Sequence, residues 1–236
     1  MRCVTTMSID KKQQMKLLSY FVLGDGGVYQ YGAKEAKFIM NMIKKNEDYV
    51  LWVKEVIEQV TSTRMYEVQK EGNRQVQLRL ESKQHPIFTT LRERIYVENY
   101  KGIDPHTLKL LDAEALAILY MCDGSFFEDF RPAIGMKNPS FRVTLNMKRL
   151  SYGDLFLLKK TMKENLDLEW NIHKQNKYYY LSLRTKDIMK FCEMVTPHMK
   201  ESFYYKLGRF APEKGGDIVC STEESVEFDG NDQTRG

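Results

Sequence analysis

The chain has 236 residues, 42% of them hydrophobic and 12% aromatic, enough for one large domain or two small ones with real cores. Its first fifteen residues lack the apolar run of a secretory signal, and no stretch reaches the roughly 20 uninterrupted apolar residues of a membrane span, so a soluble, intracellular protein of a cytoplasm or organelle matrix is expected. The formal charge of +4 divides unevenly: residues 213–236 hold seven acids against Lys214 and Arg235, a net −5, which leaves +9 on residues 1–212 and favours a polyanionic partner.

In chain order, the first feature is the apolar segment LSYFVLGDG, Leu18 to Gly26. Almost every position ahead of its aspartate is apolar or small, so it reads as a helix buried on nearly all sides and ended by an acid and a glycine. Residues Asp48 to Gln59 follow with helix-spaced Val50, Val53 and Ile57. Gln75, Gln77, Arg79 and Glu81 then alternate with Val76, Leu78 and Leu80, the period of a strand with one wet and one buried face. Gly102 and Pro105 interrupt regular structure between Asn99 and Leu111, and Asp112 is placed to cap the next helix. That helix is LAILYMCDG, Leu116 to Gly124, a second apolar segment closed by the same Asp-Gly. Ser140, Arg142, Thr144 and Asn146 alternate with Phe141, Val143, Leu145 and Met147 as another strand, and Tyr152 to Asn165 is again helix-spaced. The tail from Glu213, rich in Gly, Ser, Asp and Glu, is expected to be disordered.

The chain also repeats itself. Asn41-Met42 recurs as Asn146-Met147, Leu78-Arg79 as Leu183-Arg184 and Tyr100-Lys101 as Tyr205-Lys206, each pair 105 residues apart. Two copies of one αββαββα unit are therefore expected, with subdomains at 1–98 and 112–212 joined by a linker at 99–111 and followed by the tail at 213–236. Burying the two apolar helices against each other, with Ser19 and Gly24 facing Ala117 and Cys122, brings Asp25 and Asp123 side by side. Adjacent carboxylates repel unless cations share them, and hard oxygen ligands suit magnesium. Two or more Mg²⁺ ions, with Mn²⁺ able to substitute, are expected at a site comprising Asp25, Asp123 and the residues before them, Gly24 and Cys122. Such a cluster carries the logic of multi-metal phosphodiester hydrolysis. Cys3, Cys122, Cys192 and Cys220 never approach CxxC spacing and read as reduced thiols, and His85, His106, His173 and His198 form no HNH pattern.

The paired motifs, the repeat order and the two Tyr-Lys positions resemble the LAGLIDADG family, in its single-chain, two-motif homing endonuclease branch, over roughly residues 10 to 210. The family often carries a further acid two positions before the catalytic one, where this chain has Leu23 and Met121. The resemblance implies an α+β fold with two four-stranded antiparallel sheets forming a saddle over duplex DNA, and two central packed helices. It implies a monomer that makes a metal-dependent double-strand break in a long asymmetric target. Asp25 and Asp123 would be catalytic metal ligands, and Lys101 and Lys206 would position the attacking water and stabilise charge on the phosphate. On the strands, Gln75, Gln77, Arg79, Arg142, Thr144, Asn146 and Arg184 are expected to read bases. Lys37, Lys70, Lys137, Lys148, Lys174 and Lys177 are expected to contact phosphates. An intron maturase binding RNA on the same scaffold is the alternative, and a regulator that lost the metal site a third; retention of both acids and both lysines favours cleavage.

Overall fold

The computed structural model describes residues 9–32, 35–69, 75–129 and 139–212. Lys70, Lys137, Cys3, Cys220 and the acidic tail lie outside them.

The first apolar motif is the end of a longer helix, α1 (Lys11–Leu23), which Asp10 caps by accepting from the Gln13 amide at 2.7 Å. A hairpin of β1 (Gly26–Tyr29) and β2 (Lys37–Ile43) follows, then α2 (Glu47–Glu58), β3 (Thr63–Val68), β4 (Gln77–Ser82) and α3 (Pro86–Ile95). The segment expected to be a linker, 99–111, carries β6 (Tyr100–Lys101), which pairs back onto β5 (Tyr96–Val97) in a small two-stranded ladder, and a one-turn helix α4 (Pro105–Leu108). Asp112 caps α5 (Ala113–Asp123) through the Ala115 amide, as expected from the sequence. The second set is β7 (Gly124–Asp129), β8 (Ser140–Leu145), α6 (Tyr152–Leu166), β9 (Trp170–Gln175), β10 (Tyr178–Leu183) and α7 (Ile188–Val195), ending in a 3-10 segment at Glu201–Phe210. A reciprocal capping box between Ser151 and Asp154 starts α6.

Both sheets are antiparallel, with strand orders β1-β2-β4-β3 and β7-β8-β10-β9. One face of each packs on helices: Phe38, Met40, Leu78 and Leu80 meet the apolar sides of α2 and α3, while Val143, Leu145, Leu181 and Leu183 meet α6 and α7. Between these layers α1 and α5 lie against each other, with Leu17 to Leu23 and Ala115 to Met121 buried. Their N-terminal ends are tied by Lys16, whose ammonium bonds Asp112 at 2.6 Å and Glu114 at 2.8 Å. The α+β fold of two duplicated sheets around two packed helices is as the sequence implied.

The duplication is less regular than a single offset suggests. Across one row of each sheet, Gly26, Met40, Leu80 and Met65 correspond to Gly124, Leu145, Leu181 and Ile172, displacements of 98, 105, 101 and 107 residues. Connections of different length absorb the differences: eight residues separate β3 from β4, but only Asn176 and Lys177, with Asn176 at φ 55°, separate β9 from β10. The Leu78-Arg79 match to Leu183-Arg184 is therefore a coincidence of sequence, since the structural counterpart of Arg79 is Tyr180.

Candidate active site

Helices α1 and α5 converge at their C-terminal ends. An ideal Cβ at Gly24 would lie 2.5 Å from Cys122 Sγ and 3.0 Å from its Cβ, so the close approach of the helices here needs a residue without a side chain. Asp25 and Asp123 consequently open onto one cleft of about 680 Å³, shared with Gly24, Cys122, Lys101 and Lys206. Asp25 is exposed and Asp123 half-buried. Burial, and then the charge of Asp25, push the Asp123 carboxyl up to about 6.

The two lysines occupy matching places with matching chemistry. Lys101 Nζ donates to the carbonyls of Gly24 at 2.7 Å and Gly26 at 2.8 Å, beyond the end of α1. Lys206 Nζ donates to the Met121 carbonyl at 2.7 Å, with Tyr120 and Cys122 carbonyls at 3.4 Å, on the end of α5. Each ammonium therefore sits on the negative end of a helix dipole that is made more negative by the adjacent aspartate. Burial, followed by repulsion from Arg149, lowers Lys101 to about 8, and burial also lowers Lys206.

The segments carrying these lysines are braced by the opposite half. Asp48, in the first turn of α2, accepts from the Ser202 amide at 3.1 Å and hydroxyl at 2.5 Å, fixing the segment that bears Lys206. Asp154, in the first turn of α6, accepts from the Ile103 amide at 3.0 Å, two residues beyond Lys101. The Tyr49 hydroxyl reaches across to Cys122 Sγ at 3.4 Å, and burial holds that thiol well above its ordinary value, so it remains protonated.

Other residues singled out in the sequence fall into distinct places. Asn146 and Lys148 line the cleft beside Asp123 together with Arg149, and the Asn146 amide bonds the Asp123 carbonyl at 2.9 Å. Lys37, Gln77 and Arg79 share the face of the first sheet that points away from the helices, with Gln75 just before β4 on the same alternation. Arg142 lies exposed on the corresponding face of the second, its guanidinium 5.2 Å from the Phe127 ring centre. Two expectations need correction. Thr144 is buried, not wet: its row holds Ser125 and Ser182, and Asn146 Nδ2 covers it at 3.1 Å. Arg184 lies past the end of β10, its guanidinium paired with Glu169. Lys174 pairs in register with Tyr179 and so belongs to the helix-side alternation of β9, at its exposed end. Lys177 lies in the β9–β10 turn, 5.3 Å from the Tyr178 ring.

Sequence reading missed Arg149, Tyr49 and the two bracing aspartates. It also missed a charged centre on the open face of the first sheet. There Glu81, although buried, accepts from Tyr66 Oη at 2.9 Å, Arg79 Nε at 2.6 Å, Arg64 Nη2 at 3.1 Å and Lys37 Nζ at 3.3 Å. Burial alone would raise its carboxyl, but these bonds together hold it at about 2.

A metal site here fits hard cations. The donors are two carboxylates, one of them destabilised as an anion by burial and by its neighbour, with carbonyl oxygens around them; among the described residues no group of three or more His, Cys, Asp and Glu is placed to form a self-sufficient ligand shell. Magnesium accepts such an incomplete protein shell because water and phosphate oxygens complete it.

Two helix ends presenting paired acids, each end capped by a lysine from a later segment, in one cleft flanked by two polar sheet faces, define a nuclease of the two-motif type. The chain belongs to the LAGLIDADG DNA endonuclease family, whose family model matches residues 20–191. Among solved structures it is similar to the homing endonuclease I-WcaI bound to its DNA recognition sequence, with 18% identity and a TM-score of 0.70 over 85% of this chain and 88% of that one. It is also similar to a doubly substituted form of I-SmaMI, with 14% identity and a TM-score of 0.52 over 81% of this chain and 87% of that one. These likenesses establish the fold. Among the described residues no helix is long and apolar enough to cross a membrane.

Proposed function

We propose that this chain is a homing endonuclease that acts as a monomer and makes a double-strand break in one long, asymmetric DNA duplex. The observation that carries this reading is the shared cleft, in which each half contributes one carboxylate and one lysine. Asp25 and Asp123, with oxygens of Gly24 and Cys122, would hold Mg²⁺ or Mn²⁺. A divalent ion held there supplies charge neutralisation at the phosphate and acidity to a water.

The remaining work falls to the chain itself. Lys101 and Lys206 fix the two helix ends and place positive charge where the phosphate becomes more negative. Lys148 and Arg149, exposed at the rim, draw the DNA backbone toward the acids. Lys37, Gln75, Gln77 and Arg79 on one sheet, and Arg142 on the other, face the two half-sites, with Lys177 and Arg184 at the periphery. As I-WcaI is bound to its DNA recognition sequence in the similar structure, a duplex along these faces is the partner this reading assigns. The acids and lysines would be superfluous to a scaffold that only bound intron RNA.

The test is cleavage of a duplex library by the purified chain with Mg²⁺, beside Asp25→Asn and Asp123→Asn. The parent should give double-strand breaks at one long site, and each variant nicks or intact DNA. Full cutting by either variant would remove the acids from the chemistry.

A further inference from the structure

The open face of the first sheet contains an arrangement that DNA binding alone does not demand. A carboxylate on a surface meant for a polyanion repels it, yet Glu81 sits near the middle of that face. We infer that Glu81 is a positioning residue for base reading by the first sheet, holding Arg79 and Arg64 so that their remaining guanidinium edges meet guanine in the groove. This rests on the DNA reading above.

The hydrogen bonds of Glu81 decide between this role and direct base reading. An ionised carboxylate offers about four lone-pair sites. In Glu81, Oε1 accepts from Tyr66 Oη and Arg79 Nε, and Oε2 accepts from Arg64 Nη2 and Lys37 Nζ. All four sites are in use, so Glu81 has no acceptor left for a cytosine amino group. What it does instead is fix the cations around it. Arg79 is held through Nε, which leaves both Nη groups outside that bond, and a paired donor edge is what guanine O6 and N7 accept. Arg64, whose side chain is 72% exposed, is held through one Nη and lies 5.2 Å from the Tyr66 ring centre, so its remaining donors are not taken up by Glu81. The donors come from β2, β3 and β4, so one buried group sets the side-chain geometry across three strands. An arginine so held loses less rotamer freedom on binding than a free one, which sharpens discrimination.

Among the described residues the second sheet lacks this device. By register the counterparts of Glu81, Arg79 and Arg64 are Ser182, Tyr180 and Asn171, and Tyr180 stacks on His173 with ring centres 5.2 Å apart. Its Arg142 lies over Phe127 instead. Removing the Glu81 carboxylate should therefore act on one half-site only.

The experiment is selection of bound sequences from a randomised duplex library, without divalent ions, by the parent, Glu81→Gln, Arg79→Lys and Arg142→Lys, with affinity for an unrelated duplex measured alongside. The parent should enrich guanine at positions that Arg79→Lys flattens, and Arg142→Lys should mark the opposite half. Glu81→Gln should flatten the same positions as Arg79→Lys, by roughly 5- to 150-fold for each bidentate arginine–guanine pair disrupted. It should leave the Arg142 half intact and bind the unrelated duplex more tightly, because the face loses a negative charge; a role confined to stability would instead weaken both halves together. An unchanged Glu81→Gln profile, or equal flattening of both halves, overturns the proposal. If Glu81→Gln does not melt cooperatively, Arg79→Lys and Arg64→Lys decide: profiles unchanged in both also overturn it. A parent that enriches no sequence overturns the DNA reading itself, an outcome distinct from failure of the Glu81 variant alone.

Discussion

Replacing Gly24 by alanine tests the helix crossing on which the whole cleft depends. The added methyl would lie 2.5 Å from Cys122 Sγ, 3.0 Å from Cys122 Cβ and 3.4 Å from the Tyr20 carbonyl oxygen, so either the thiol or the helix must move. The thiol is confined by the Tyr49 hydroxyl, and Tyr49 is itself fully buried. Overpacking of this kind costs about 1–3 kcal/mol. For a chain of this size that is roughly a 2–12 °C fall in Tm. The stringent assay is a double-mutant cycle with Cys122→Gly, followed by thermal unfolding. Cys122→Gly has its own cost, from helix propensity and from the Tyr49 hydroxyl left without its sulfur partner, but that cost cancels in the cycle. Removing Sγ and Cβ together should then recover most of the Gly24→Ala penalty, a coupling of about 1–2 kcal/mol, whereas Cys122→Ala, which keeps Cβ, should recover only part. A Gly24→Ala chain as stable as the parent, or a coupling within the roughly 0.5 kcal/mol error of additivity, would refute the close helix crossing.

Two further perturbations address the electrostatics and the braces. Because burial and Asp25 raise the folded-state pKa of Asp123 to about 6, the folded chain holds that proton more tightly than the unfolded one. Stability should thus fall as pH rises from about 4 to 6, with a full penalty above that on the order of 2–3 kcal/mol. Asp123→Asn should melt above the parent at pH 7.5 without divalent ions and level with it near pH 4, and Mg²⁺ should narrow the gap; parallel melting curves at all pH values would contradict the burial argument. Asp48→Ala should loosen the segment bearing Lys206, and Asp154→Ala the one bearing Lys101, each breaking hydrogen bonds whose removal costs about 1–3 kcal/mol. Gel assays of end-labelled duplex should show the two variants accumulating nicks on opposite strands, and equal slowing of both strands by either variant would argue against the brace.

The features legible in the sequence were those governed by local pattern. The apolar runs ending in Asp25 and Asp123 have no polar face, so their mutual burial followed from composition, and Asp112 was recognisable as a cap because it precedes an apolar helix. The helices expected at 48–59 and 152–165 are found at Glu47–Glu58 and Tyr152–Leu166. What alternation could not supply was the layer above each face. Thr144 alternates correctly with its neighbours, yet Asn146 covers it, as Ile39 is covered in the corresponding row of the first sheet. Lys174 stands on the alternation that faces the helices, which becomes apparent only when Ile172 and Leu181 are seen packing inward. Arg184 shares a Leu-Arg dipeptide with Arg79 but not its place in the sheet, because the unequal turns between strands shift the true partner of Arg79 to Tyr180. The braces from Asp48 and Asp154 span 154 and 51 residues of sequence, and an aspartate near a helix start carries no sign of so distant a partner.

Those braces bear on what a duplicated enzyme is. If each copy were a complete unit, Lys101 would be fixed by its own half and Lys206 by its own. Instead Lys101 caps α1 but is steadied through Ile103 by α6, and Lys206 caps α5 but is steadied through Ser202 by α2. The exchange places each lysine under control of the opposite sheet layer. Any displacement of one half relative to the other therefore moves a helix end, its aspartate and the lysine capping it by different amounts, and the electrostatic balance of the cleft depends on those three moving together. At a point where two helix dipoles and two carboxylates all present negative charge, the buried ammonium of Lys101 and the half-buried one of Lys206 are the chain's own compensation, and the crossed braces make that compensation conditional on correct docking of the halves.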